Sequence, residues 1–161
     1  MMLKLIQHDK KHMRQTTLCY LVKDGKVLLA MKKRGFATGK MNGPGGKVEA
    51  GETPEDACRR EFFEETNSRI GSVEERGVIE FVFADKPDWN QECHIYVATE
   101  YEDEPVETEE MRPDWHDIGN LPLSDMWEDD PIWLPGVLVG GTVNMRFNFD
   151  ANSKMLSYEA I

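Results

Sequence analysis

Residues 46–67, GKVEAGETPEDACRREFFEETN, join a glycine-rich stretch to the best-signalled helix in the chain. Thr53 offers the side-chain oxygen that an N-cap needs and Pro54 suits the first helical position. Asp56, three residues after the cap, completes a capping box with a shorter acid. This pattern predicts a helix from Pro54 to about Thr66, ended by Asn67, a residue that tolerates the left-handed conformation of a helix terminus. On that helix Glu61, Glu64 and Glu65 stand at i, i+3 and i+4, so they project from one face toward a common point. Like charges at that spacing cost roughly 0.2–0.5 kcal/mol per pair and raise the carboxylate pKa values, and a divalent cation between them reverses the sign. Oxygen-only ligation of this density suits Mg²⁺ or Mn²⁺. An ordinary solvated acidic face is the commoner fate of such residues, so the helix alone does not decide.

N-terminal to this stretch, Thr17 to Val22 and Lys26 to Met31 are β-prone runs joined across Lys23-Asp24-Gly25, and Asp-Gly predicts a tight hairpin. Gly35 to Gly51 holds six glycines and one proline, too many for regular structure and suited to a loop whose backbone approaches a ligand. Residues 1–14 are mixed and basic and are expected to form a lead-in or an edge extension. C-terminal to the helix, Gly77 to Ala84 and Cys93 to Thr99 read as paired strands separated by the polar connection Asp85 to Glu92. Asp103 to Glu110 is an acidic loop. Pro122 to Met126 leads through turns to a second helix, with Asp130 as N-cap, Pro131 first, and Gly140-Gly141 as its stop. Asn144 to Phe149 and Met155 to Tyr158 form a hairpin around Asp150 to Ser153. Strands outnumber helices without regular alternation, which points to an α+β domain.

The bulk properties narrow the function. A chain of 161 residues suits one domain with its own core. Its net charge of −11 disfavours nucleic-acid backbones and anionic membranes as partners, and a phosphate-bearing small molecule would need cations to bridge it to the protein. Cys19, Cys58 and Cys93 are odd in number and form no C-x-x-C pair, so reduced core thiols are expected rather than a disulfide framework or a zinc site. The N-terminus lacks a signal-peptide apolar run and no stretch approaches the roughly 18 apolar residues of a membrane span, so a cytoplasmic location is expected. His94 and His116 have no nucleophile near them in sequence and are read as structural.

The flanking residues lift the carboxylate helix above a solvated face. Gly46, five residues, Glu52, seven residues and then Arg60-Glu61-Phe62-Phe63-Glu64-Glu65 resembles the Nudix box in every charged position, which with Gly46 makes six positions in all. The resemblance implies a Nudix-type mixed β-sheet sandwiched between helices, over a single domain spanning residues 1–161. It implies Glu61, Glu64, Glu65 and the Gly46 carbonyl as ligands of Mg²⁺, with Mn²⁺ as a possible substitute. Glu52 and Arg60 would be an orienting ion pair, and Glu65 or Glu110 would take the proton from the attacking water. Asn67 stands where the family has glycine, Ser68 where it has an aliphatic residue, and Phe62 fills an aliphatic slot.

A second resemblance, from about Leu18 to Tyr158, is to the mammalian-type MutT homologues, the oxidised-purine nucleoside triphosphatases. Met31-Lys32-Lys33-Arg34-Gly35-Phe36, Asn42-Gly43, Glu110-Met111-Arg112-Pro113 and Asp125-Met126-Trp127 with Asp129-Asp130 and Trp133 carry it. It implies that Asn42, Asp129 and Asp130 read a purine edge. Trp127, Phe36, Phe81, Phe83, Met111 and Trp133 would be the pocket walls, with Lys32 also on the substrate. Asp-Asp-Pro is also a common helix N-terminus, and aromatic residues are usually core, so each of these roles has a structural rival. Met41 replaces a tryptophan of those relatives and Gln91 falls near an apolar contact. The expected activity is hydrolysis of oxidised purine nucleoside triphosphates to monophosphate and diphosphate. The alternatives are a Nudix hydrolase of a dinucleotide or ADP-ribose, and a nucleotide-binding module without turnover.

Overall fold

Asp24 and Gly25 adopt positive φ angles of 52° and 76°, which is what a two-residue hairpin requires. They join β1 (Arg14–Lys23) to β2 (Lys26–Lys32) where the Asp-Gly pair predicts the turn. The computed structural model describes residues 13–35 and 37–161, so Phe36 and residues 1–12 of the expected lead-in lie outside the described residues. The last two residues of that lead-in belong to the fold: Met13 is buried, and β1 starts at Arg14 rather than at Thr17.

β1 runs parallel to β6 (Gln91–Ala98) from Arg14 to Leu21. Its other edge is shared, first by β4 (Gly45–Lys47) and then by β2. β2 carries β7 (Met111–Asp117) along its whole length and β3 (Met41–Asn42) at its end. β6 pairs antiparallel with β5 (Val73–Phe83), β5 lies parallel to β8 (Val143–Phe149), and β8 pairs with β9 (Met155–Ala160). The result is a mixed sheet with α1 (Pro54–Thr66) and α2 (Asp130–Leu138) on its two faces, an α+β architecture as expected.

Period-two alternation builds both faces. Cys19, Leu21, Leu28, Tyr96 and Ala98 pack beneath Cys58 and Phe62 of α1. Their sequence neighbours Tyr20, Val27, Leu29, Ile95 and Val97 turn the other way and pack with Trp133, Leu134, Val137 and Leu138 of α2. All three cysteines are free and buried, as expected of core thiols. Among the described residues no helix is long and apolar enough to cross a membrane.

Three elements differ from the sequence expectation. The glycine-rich segment is not all loop, because β3 and β4 lie within it. Gly45 sits so close to β1 that a Cβ there would lie 1.9 Å from the Thr17 carbonyl oxygen, so this glycine serves strand crossing as well as ligand access. β7 is a strand despite its Pro113 and its charges, which an edge strand tolerates. β5 begins at Val73, four residues before the expected Gly77, and reaches it through an irregularity in register between Glu75 and Gly77.

Helix α1 matches its predicted bounds. The Thr53 hydroxyl accepts from the Asp56 amide at 3.1 Å, the Asp56 carboxylate accepts from the Thr53 amide, and Asn67 ends the helix at φ 59°. Thr53→Ala removes half of this reciprocal cap and is expected to lower stability by about 1 kcal/mol, read as a lower urea midpoint at unchanged m-value.

Candidate active site

The buried stripe of α1 comprises Ala57, Cys58, Phe62, Glu65 and Thr66, which grades the three predicted ligands by depth. Glu65 is only 4% exposed although it is an acid. Its Oε2 accepts from the Gly45 amide at 3.1 Å. Burial, and next the charge of Glu61, pushes its carboxyl up to about 9. Glu61 is half-buried, and burial raises its pKa as well. Glu64 faces solvent, and Arg60 lies between the two, with Nη1 at 2.9 Å from Glu61 Oε1 and 3.3 Å from Glu64 Oε2.

Arg60 and Glu52 form the predicted ion pair in a two-pronged geometry, Nε to Oε2 at 2.7 Å and Nη2 to Oε1 at 2.9 Å. The guanidinium holds the Glu52 carboxyl down at about 2, so Glu52 stays charged across the working range. A third bond runs from Arg60 to the Lys47 carbonyl at 3.0 Å. Arg60 thereby ties the helix to β4, which fixes the separation between Gly46 and the helix carboxylates.

Gly46 fits the expected ligand set because a Cβ there would meet the Glu61 carboxyl carbon at 2.5 Å. The donor chemistry fits a hard divalent cation: three carboxylates and a backbone region, all oxygen. Among the described residues the acids are not drawn together into a ready ligand cluster. Arg60 engages Glu61 and Glu64, and the Gly45 amide engages Glu65.

Beside this centre lies a cavity of about 440 Å³ whose lining includes Gly45, Gly46 and Lys47 together with Asn42, Asp129 and Asp130. Its apolar lining includes Phe81, Phe83, Met111 and Trp127, and also Phe149. Phe149 stacks on Phe83 at 5.3 Å and meets the edge of Trp127 at 6.0 Å. Lys32 lines the cavity, joined by Arg14, Lys40 and Lys47, so an acidic protein sets cations around this one space. Trp133 is not a wall. It lies beneath, donating through Nε1 to Asp129 Oδ2 at 2.8 Å and presenting its ring edge-on to Tyr20. Phe36 lies outside the described residues.

The acid pair is not a helix cap. Asp129, not Asp130, is the N-cap residue, and its side chain makes no capping bond; Asp130 lies in the first turn. Both are 2% exposed. Asp130 Oδ2 accepts from the Trp127 amide at 3.0 Å, and Asp129 Oδ1 is buried without a partner. Burial pushes Asp129 up to about 6 and, with the charge of Asp129, drives Asp130 well above its ordinary value. The pair can hold a proton where an exposed carboxyl would have lost it, so it can present a donor as well as an acceptor.

Sequence reasoning missed Tyr20. Its hydroxyl donates to Asn42 Oδ1 at 2.9 Å, and the Gly43 amide donates to the same oxygen at 2.9 Å. An amide N–H can only donate, so this oxygen is fixed and the Asn42 NH₂ is left to the cavity. Nothing in a β-strand apolar run marks one tyrosine as a partner of a residue in a later strand. Phe149 was missed as well, although strand alternation puts it on the same face as Phe147.

The likeness to known proteins agrees with this geometry. A NUDIX domain matches residues 12–137. The chain is 48% identical over 143 residues to the oxidized purine nucleoside triphosphate hydrolase of Danio rerio, covering 89% of this chain and 91% of that protein. It is 39% identical over 142 residues to the protein of the same name from Mus musculus, covering 88% and 90%. It superposes on the crystal structure of a MutT protein from Bacillus halodurans with a TM-score of 0.82 and 27% identity, over 91% of this chain and 97% of that one. Proteins of this family generally use a divalent metal. With the domain match running from the first strand into the second helix, and such identity across nearly the whole length, this chain belongs to the Nudix family of hydrolases.

Proposed function

We propose that the protein is a Mg²⁺-dependent pyrophosphohydrolase, with Mn²⁺ as a substitute, that converts oxidised purine nucleoside triphosphates to monophosphate and diphosphate in the cytoplasm. The observation that carries this reading is the polar triad Asn42, Asp129 and Asp130 in the same cavity as Gly46 beside the carboxylate helix. A fixed amide donor, an unpartnered buried carboxylate oxygen and a protonated carboxyl together match a purine edge that presents both acceptors and donors. Phe83, Phe149 and Trp127 supply the faces on which a base is enclosed. The names of the Danio rerio and Mus musculus relatives support the same substrate class.

A divalent cation held by Glu61, Glu64, Glu65 and the Gly46 carbonyl would neutralise phosphate oxygens and acidify the attacking water. The chain's own residues do the remainder. Lys32 and Lys47 face the cavity beside Gly46 and counter the phosphate charge. Glu52 stays ionised and holds Arg60, so β4 and α1 keep their spacing. Glu110 or Glu65 accepts the proton of the water that attacks phosphorus, and the anhydride bond between the α- and β-phosphates breaks to give monophosphate and diphosphate.

The test is diphosphate release with Mg²⁺ from normal and oxidised purine triphosphates, dinucleotides and ADP-ribose. Fastest turnover is expected with an oxidised purine triphosphate, and release from none of the triphosphates excludes this reading. Asn42→Ala is expected to raise KM roughly tenfold or more with little change in kcat, because it removes a contact made equally in ground and transition states.

A further inference from the structure

The last turn of an α-helix leaves carbonyl oxygens without intrahelical donors, and here one loop supplies much of what α1 lacks. The Val106 amide donates to the Thr66 carbonyl at 2.9 Å. The Thr108 hydroxyl donates to the Glu65 carbonyl at 2.9 Å. The Ser68 hydroxyl, just past the helix, donates to the Asp103 carbonyl. The stretch expected to be an acidic loop is therefore bonded along the end of the carboxylate helix.

Thr108 differs from its neighbours in facing two ways. While its hydroxyl donates to Glu65 of α1, the same oxygen accepts from the Glu110 amide at 3.3 Å and the Met111 amide at 3.2 Å. Its own amide donates to the Met111 carbonyl at 2.9 Å. The Lys33 ammonium donates to the Thr108 carbonyl at 2.8 Å and to Glu107 at 2.6 Å, and the Lys33 amide donates to the Glu110 carbonyl at 2.9 Å. A single hydroxyl thus spans from the backbone of a predicted metal ligand to the residue that carries the candidate base and to a cavity wall. Glu110 is near enough that its charge is felt by both Glu61 and Glu65.

We propose that Thr108 is a positioning residue that fixes the backbone of Glu110 and Met111 relative to Glu65, so that the Glu110 carboxylate and the helix acids act on one reaction centre. This rests on the hydrolase reading above. A hydroxyl suits the task because it donates and accepts at one atom. Valine has the same shape and does neither. Misplacing a catalytic group by about an ångström costs up to 100-fold in rate, whereas loss of a capping contact alone lowers stability and leaves kcat unchanged.

The experiment compares Thr108→Val and Thr108→Ser, each alone and combined with Glu110→Gln, on the best oxidised purine triphosphate. Thr108→Val is expected to lower kcat about 10- to 100-fold with KM changed less than about twofold, and Thr108→Ser to restore most of the rate. In the Glu110→Gln background, Thr108→Val should cost no more than about twofold, because its effect is transmitted through Glu110. Equal losses in both backgrounds, or an unchanged kcat in Thr108→Val, overturn the proposal. A readout independent of turnover accompanies these: amide hydrogen exchange at Glu110 and Met111 should accelerate in Thr108→Val and not in Thr108→Ser. Unaltered exchange also overturns the proposal, and it does so even if Thr108→Val proves too unstable for kinetics. Failure of the wild-type protein to release diphosphate from any triphosphate would sink the functional reading, while exchange would still decide whether Thr108 makes the tether.

Discussion

Glu65→Gln is expected to lower kcat for diphosphate release by about 10³-fold or more, while the protein keeps its fold. The substitution is nearly isosteric. The Gln carbonyl oxygen can still accept from the Gly45 amide, which now bonds Glu65 Oε2, so the contact between α1 and β4 survives. A buried carboxyl pushed up to about 9 is already protonated at neutral pH without a cation, and replacing it with a neutral amide changes little in the resting fold. What is lost is the anionic ligand that a cation would draw out by displacing that proton. Glu64→Gln should behave alike in kcat, with even less effect on folding because Glu64 faces solvent. Steady-state kinetics with urea unfolding decides the matter. A Glu65→Gln protein with near-normal turnover shows that the metal ligands have been assigned to the wrong residues.

The second large effect separates the two aspartates. Asp129 Oδ2 is committed to the Trp133 indole and Oδ1 is the unpartnered atom, so Asp129→Asn must put either a donor where the ligand finds an acceptor or a nitrogen against Trp133. A loss of about 10²- to 10⁴-fold in kcat/KM follows for the preferred triphosphate. Asp130→Asn keeps an oxygen for the Trp127 amide and an N–H donor for the ligand, and should cost far less. The signs for pH follow from the same assignment. Asp129 has a raised pKa of about 6 and must be ionised, so its acceptor is present above that value and kcat/KM falls as the pH drops through it. Asp130, also raised, must be protonated to donate, so its donor is lost as the pH rises through its own pKa. For stability the raised pKa of Asp129 works in the opposite sense. The fold holds a proton that the unfolded chain releases near its ordinary value, so stability falls as pH rises from about 4 to about 6. A flat kcat/KM profile below pH 6, or equal losses for the two substitutions, would show that Asp129 is not the acceptor.

Local chemistry made some of this readable in advance. Capping at Thr53 and Asp56, the left-handed stop at Asn67 and the Asp24-Gly25 turn are decided by backbone groups within four residues of each other, and all appear where the sequence puts them. Strand β7 was unreadable for the opposite reason. Pro113 and its charged neighbours argue against a strand, and only the open edge of β2 makes them one. The same holds for β3 and β4, which lie in a glycine-rich stretch that looks like loop until β2 and β1 are there to receive them.

The sequence by itself determined which residues carry charge in the box, that Glu61, Glu64 and Glu65 share one side of a helix, and that Glu52 and Arg60 lie eight residues apart and can pair across its start. Helical periodicity and covalent spacing suffice for that. Tertiary structure alone decided that Glu65 is buried while Glu64 is not, that Asp129 faces the cavity instead of capping α2, that Tyr20 aims Asn42, and that Thr108 binds Glu110 to the helix. Each of these depends on how far a polar group is withdrawn from water and on a partner brought from a distant strand or loop. No local pattern encodes either quantity.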